Sequence, residues 1–116
     1  MAKFMLLLHD NPLAFADVSP EQMQKVIEKY QAWGKRLREQ GVIQGGHKLT
    51  DEPGKVMRSK DGQVRVTDGP YSESKEILGG FYIIEATDYA QALERSKDCP
   101  HLGYGGTIEV RQVDLV

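Results

Sequence analysis

Two short segments, Phe4 to Leu8 and Phe81 to Ile84, carry apolar or aromatic side chains at every position, and they constrain the fold more than any other feature of the chain. Successive side chains of a strand point to opposite faces, so strands of this composition belong to a sheet that is covered on both sides. Only two helical patterns are present to do the covering. An antiparallel sheet with both helices on one face leaves the other face bare, and soluble proteins rarely expose a large apolar patch. The same face of a second copy is the economical cover, in a closed two-fold homodimer. The length of 116 residues suits one domain spanning 1–116. Fifteen Lys and Arg against seventeen Asp and Glu leave a net charge of −2, which allows self-association and offers no positive field for nucleic acid.

The first strand is read at Lys3 to His9, ended by the turn-forming His9-Asp10-Asn11-Pro12. Ser19-Pro20-Glu21-Gln22 is a helix start, with Ser19 as cap, Pro20 in the first turn and Gln22 placed to bond back. Met23, Val26, Ile27, Tyr30, Trp33 and Leu37 then form one apolar stripe until Gly41. A short strand, Val42 to Gln44, leads into a Gly-rich polar stretch that holds His47 and runs to Gly54. Val56 to Ser59 and Gln63 to Thr67 flank Asp61-Gly62, the signature of a tight hairpin. A loop from Asp68 to Gly79-Gly80 precedes a strand at Phe81 to Ala86. A second helix, capped by Asp88 with Gln91, ends near Asp98-Cys99-Pro100, and the last strand is Thr107 to Val113. The order predicts an α+β fold, a ferredoxin-like split βαβ sheet with an inserted β-hairpin.

Several classes of activity find no support. The apolar run Phe4 to Leu8 is far below the ~18 residues of a membrane span, and one Lys before it makes a poor signal peptide, so a cytoplasmic protein is expected. The single cysteine, Cys99, permits neither an internal disulfide nor a Cys-x-x-Cys pair, and its place at a helix C-terminus raises a thiol pKa, which argues against a nucleophile. There is no Gly-x-Ser-x-Gly elbow, and Gly79-Gly80 lacks the spacing of a dinucleotide or P-loop fingerprint. His9, His47 and His101 share no short segment with ligand spacing, so neither a metal nor a cofactor is expected.

The stretch Asp68-Gly69-Pro70-Tyr71-Ser72-Glu73-Ser74-Lys75-Glu76-Ile77-Leu78-Gly79-Gly80-Phe81 resembles the signature of the DGPF group of YCII-related proteins, with Tyr71 where that group usually has Phe. The resemblance extends from the opening strand to Glu109-Val110-Arg111. It implies a dimeric α+β barrel built on ferredoxin-like halves, and a group in which lyase chemistry of the dehydrohalogenation type is attributed to some relatives while others are fused to sigma factors. A His and Asp pair is associated with the YCII branch, but here the first helix has Gln22 and Met23 near the place where the histidine would fall.

Tracing the split βαβ topology puts His9, Asp10, His47, the 68–80 loop, His101 and Tyr104 at one end of the sheet. The expected site is a cleft there for a small, partly apolar molecule. His9 is its candidate proton acceptor, since an imidazole titrates near neutral pH. Asp68 either orients His9 or fixes its own turn. Lys75 is a candidate anion clamp, with Tyr71, Glu76, His47 and His101 as further binding groups. Two readings follow: cofactor-independent acid/base chemistry of the lyase or isomerase type, or a non-catalytic ligand-binding or regulatory dimer in which the Asp-Gly-Pro-Tyr loop is structural. A subunit serving another protein is a third.

Overall fold

In the computed structural model, residues 1–11, 13–69 and 76–115 are described. Among the described residues six strands and three helices follow one another as β1 (Ala2–Asp10), α1 (Pro20–Glu39), β2 (Ile43–Lys48), β3 (Lys55–Lys60), β4 (Gln63–Asp68), β5 (Ile77–Ala86), α2 (Tyr89–Ser96), α3 (Pro100–Gly103) and β6 (Thr107–Gln112). The main sheet has the order β2-β5-β1-β6, antiparallel at each pairing, and β3 and β4 form a separate two-stranded sheet. With the hairpin set aside, this is the strand order of a ferredoxin-like split βαβ sheet, with the two most apolar strands at its centre.

Alternation along β1 divides the side chains between the two faces. Phe4, Leu6 and Leu8 are buried with Ile84 and Ala86 of β5 against Trp33 and Leu37 of α1, Ala92 of α2, and Cys99. Met5 and Leu7 pair with Ile83 and Phe81 on the opposite face, where all four are only partly buried. Glu109 and Arg111 of β6 flank that patch, since they pair with Leu7 and Met5.

The helix start is as read from the sequence. Ser19 accepts from the Gln22 backbone N–H at 3.1 Å and the Gln22 side chain accepts from the Ser19 N–H at 3.1 Å, satisfying two of the donors a helix leaves open. At α2, Asp88 accepts from the Gln91 N–H at 2.9 Å, but Gln91 reaches one residue further back, to the Thr87 N–H at 2.7 Å. Beyond α2, Asp98 receives the Trp33 indole N–H at 3.0 Å and Arg36 at 2.6 Å, fastening α1 to that segment.

Three differences from expectation bear on the site. β2 continues to Lys48, so Gly45, Gly46 and His47 are strand residues and no loop begins at Gly45. β5 begins at Ile77, which places Gly79 and Gly80 inside a strand. The glycines permit close approach of two backbones: a Cβ at Gly46 would lie 2.4 Å from the Phe81 carbonyl oxygen, and one at Gly80 3.0 Å from that of His47. The third difference is α3, a single turn after Pro100.

Asp61 and Gly62 have φ of 52° and 77°, the left-handed pair that a two-residue type I′ turn requires. Every residue of β3 and β4 except Val56 is exposed. The radius of gyration is 16.1 Å, whereas a compact chain of this length has ~13 Å. Among the described residues, no helix is long and apolar enough to cross a membrane.

Candidate active site

A break in the pairing of β1 with β5 builds the site. The register shifts between Leu8 and His9, so that Leu8 pairs with Gly80 while His9 pairs with Leu78 and Asp10 with Ile77. Gly79 is the extra residue. Such a bulge re-aims residues of its own strand, here Ile77, which borders the cleft, while Asp10 keeps the face that alternation along β1 gives it after Leu6 and Leu8. A Cβ on Gly79 would lie 3.0 Å from Asp10 Oδ2, so the missing side chain makes room for the carboxylate.

Asp10 borders a cleft of ≈ 670 Å³ between α1 and the β2–β5 side of the sheet. Val26, Ile27 and Tyr30 of α1 form one wall, and Leu8, Gly80 and Tyr82 belong to the other. Apolar walls with a few polar groups suit a small organic molecule. Burial raises the Asp10 pKa above the usual carboxylate value; nearby His101 works against the rise, Asp51 adds to it, and Lys48 and His9 oppose it.

His101 closes the end of the cleft and is almost wholly buried. Its Nε2 lies 2.8 Å from the His9 carbonyl oxygen and its Nδ1 3.0 Å from the Tyr30 hydroxyl. A carbonyl can only accept, so Nε2 carries the hydrogen, and in the neutral ring Nδ1 accepts from the Tyr30 O–H. Burial raises the Tyr30 pKa well beyond the ordinary phenol value, which keeps that hydroxyl protonated. The imidazole fits because residue 106 is glycine: a Cβ there would lie 2.2 Å from Nε2. Half-buried carboxylate, oriented imidazole and phenol thus form a short polar cluster at the end of an apolar cleft.

The expected residues are distributed differently. His9 sits beside the cluster through its backbone, but its ring pairs with Glu109 at 3.2 Å. Asp68, the proposed orienter of His9, instead pairs with Lys55 at the base of the hairpin and is largely exposed. The adjoining Gly69 donates its N–H to the Gly54 carbonyl at 2.9 Å, and a Cβ there would lie 2.3 Å from the Pro53 oxygen. Glu76 accepts from the Thr107 hydroxyl at 3.4 Å, next to His9 in the sheet because Thr107 pairs with it. His47 borders the cleft and sets its ring 6.0 Å from that of Phe81, edge to face. Tyr71 and Lys75 lie outside the described residues.

Cys99 is buried at the N-cap of α3, beyond the end of α2 and not at a helix C-terminus as expected, and desolvation pushes its thiol up to about 11 against a backbone hydrogen bond from His101 that lowers it. Among the described residues, no group of three or more His, Cys, Asp or Glu is placed to hold a metal ion. Tyr30 and Arg38, both in the cleft, were not singled out from the sequence, and Asp10 was placed at this end of the sheet without a role. The available signal for Asp10 was its position beside His9 at a strand end, since neighbours in a strand face opposite ways and only one of the two can enter a given cleft.

The model of the YCII-related domain matches residues 2–115. A protein of Rhizobium meliloti (strain 1021), described as uncharacterised, is 26% identical over 114 residues, which is 97% of this chain and 92% of that protein. Among solved structures, 5-chloro-2-hydroxyhydroquinone dehydrochlorinase from Burkholderia phenoliruptrix AC1100, in complex with 2,5-dihydroxybenzoquinone, is 19% identical, with a TM-score of 0.47 over 97% of this chain and 93% of that one.

Proposed function

For this chain, which belongs to the YCII-related family, we propose a homodimer whose cleft binds a small, partly apolar molecule and carries out cofactor-independent acid/base chemistry of the lyase or isomerase type. The observation that carries the reading is the meeting of the half-buried Asp10 carboxylate with the His101–Tyr30 pair in one partly apolar cleft. A carboxylate partly removed from water is a stronger base than a free one, and it is held beside the place where a bound C–H would lie. Asp10 takes the proton. The Tyr30–His101 hydrogen bond keeps the imidazole in one tautomer and orientation at the end of the cleft. The role first expected of His9 thus passes to its neighbour. A second copy covers Met5, Leu7, Phe81 and Ile83 on the face that carries no helix.

Deuterium uptake from D2O at the α-carbon of small ring ketones, followed by NMR, tests this reading. Wild-type protein accelerates exchange, and Asp10→Asn returns it to the uncatalysed rate while leaving the fold intact. Equal exchange by the two proteins overturns Asp10 as the base. A non-catalytic ligand-binding dimer is the second reading, favoured by the Lys55–Asp68 pair and the tight Gly69–Gly54 contact, which suit a structural loop. It predicts ligand binding without exchange.

A further inference from the structure

Among the described residues, Lys48 and Arg38 are the lysine and arginine side chains that border the cleft; Lys48 is paired with Asp51, but no carboxylate among the described residues pairs with Arg38. It is four residues beyond Gly34, a glycine in the interior of α1 where any residue but proline would favour the helix more. A Cβ at Gly34 would lie 3.0 Å from Arg38 Nη1 and 3.8 Å from Cζ. The guanidinium therefore folds back by one helical turn and lies over residue 34. Gly34 in turn follows Tyr30 by four residues, roughly 6 Å of rise along the helix axis. Between these points the cleft is walled by Tyr30 and Tyr82, and Tyr82 is close enough to Arg38 for the positive charge to favour its ionised form, although burial raises its pKa overall.

We propose that Arg38 is an anion clamp and that the cleft is built for a small carboxylate on an apolar body about one six-membered ring long. A planar guanidinium matches a carboxylate through two parallel hydrogen bonds. The ring lies between Tyr30 and Tyr82, and its far end meets Asp10. Separation of the two ends keeps the ligand carboxylate away from the Asp10 carboxylate, which would repel it. Gly34 is the positioning residue, because its missing side chain leaves the space into which the guanidinium folds. The assignment names the substrate class of the cleft proposed above and rests on that reading.

Benzoate and benzamide, alike in shape and different in charge, are suitable probes, with binding followed by NMR titration of the labelled protein. Wild-type protein binds benzoate about tenfold more tightly than benzamide, in keeping with a charge-assisted bidentate contact. Arg38→Gln abolishes that preference while benzamide affinity stays as it was. Gly34→Ala raises the melting temperature through its better helix propensity and yet lowers the preference for benzoate, opposite signs that a merely structural glycine would not produce. Equal binding of the two probes by wild-type protein, or a preference that survives Arg38→Gln, overturns the clamp and leaves the cleft reading standing. Binding of neither probe, with no shifts around Asp10 and Tyr82, overturns both.

Discussion

The pair β1–β5 and the hairpin β3–β4 are both antiparallel ladders, yet opposite forces hold them. In β1–β5, Phe4, Leu6 and Ile84 are fully buried beneath the helices, and loss of apolar surface to water is the main term. In β3–β4, Met57, Val64 and Val66 remain 72%, 68% and 59% exposed, so little apolar burial opposes fraying. A two-stranded hairpin alone is marginal in water. Its order rests on the Asp61-Gly62 turn, six cross-strand pairs and the Lys55–Asp68 contact at its base. The difference shows where chemistry can be placed: Asp10 and His101 stand on or beside the buried ladder, where packing fixes side chains, while Asp68 stands on the exposed one.

Substitution at matched positions sharpens this contrast. Leu6→Ala in the core ladder is expected to cost about 3 kcal/mol, the usual scale for a buried leucine, read from urea denaturation. A loss below about 1 kcal/mol would mean that the ladder is not the centre of stability. Next in size is Gly106→Ala. The new Cβ collides with a buried ring and breaks the His101 bond to the His9 carbonyl, with an expected loss of about 2 kcal/mol and a displaced His101 ring signal by NMR.

In the hairpin, Gly62→Ala places an alanine at φ 77° and is expected to cost about 1 kcal/mol, whereas Val64→Ala stays within about 0.5 kcal/mol. If Val64→Ala proved as costly as Leu6→Ala, the hairpin would be packed against something in solution and the contrast would be broken.

The smallest effect is one of pH. The Trp33 indole hydrogen bond, and after it Arg36, lower the Asp98 pKa against an opposing desolvation. A carboxylate lowered on folding stabilises the protein above its unfolded pKa, and that contribution disappears as pH falls through the lower folded value. Asp98 is half exposed, so solvent screens the effect. Trp33→Phe is expected to flatten that acid limb in denaturation curves recorded across pH. Asp10 has the opposite sign, because its raised pKa costs stability once the group ionises, so Asp10→Asn is expected to stabilise slightly at neutral pH.

Local signals carried much of the fold. Ser19 and Gln22 capped the helix as their spacing indicated, Asp61-Gly62 made the turn, and the alternation of β1 buried Phe4, Leu6 and Leu8. Glycine was misleading where it signalled a loop inside a strand, at Gly45-Gly46 and Gly79-Gly80; Gly46 and Gly80 instead mark close backbone approach. The site was less legible. Gathering the histidines at one end of the sheet followed from topology, and His101 does touch the His9 backbone. Which carboxylate each would meet did not follow, because the partner of His9 is Glu109, a hundred residues away.

From sequence alone came the sites of turns and caps, the apolar faces and the order of strands, since each depends on residues a few positions apart. Only the tertiary structure decided that a cleft lies beside Asp10, that Tyr30 leaves the apolar stripe to bond His101, and that Arg38 folds back over Gly34. The physical reason is that what a side chain faces depends on its packing partners: Asp10 only continues the alternation of Leu6 and Leu8, and the space it meets is set by the extra residue of β5, Gly79, whose place only the paired strands can show.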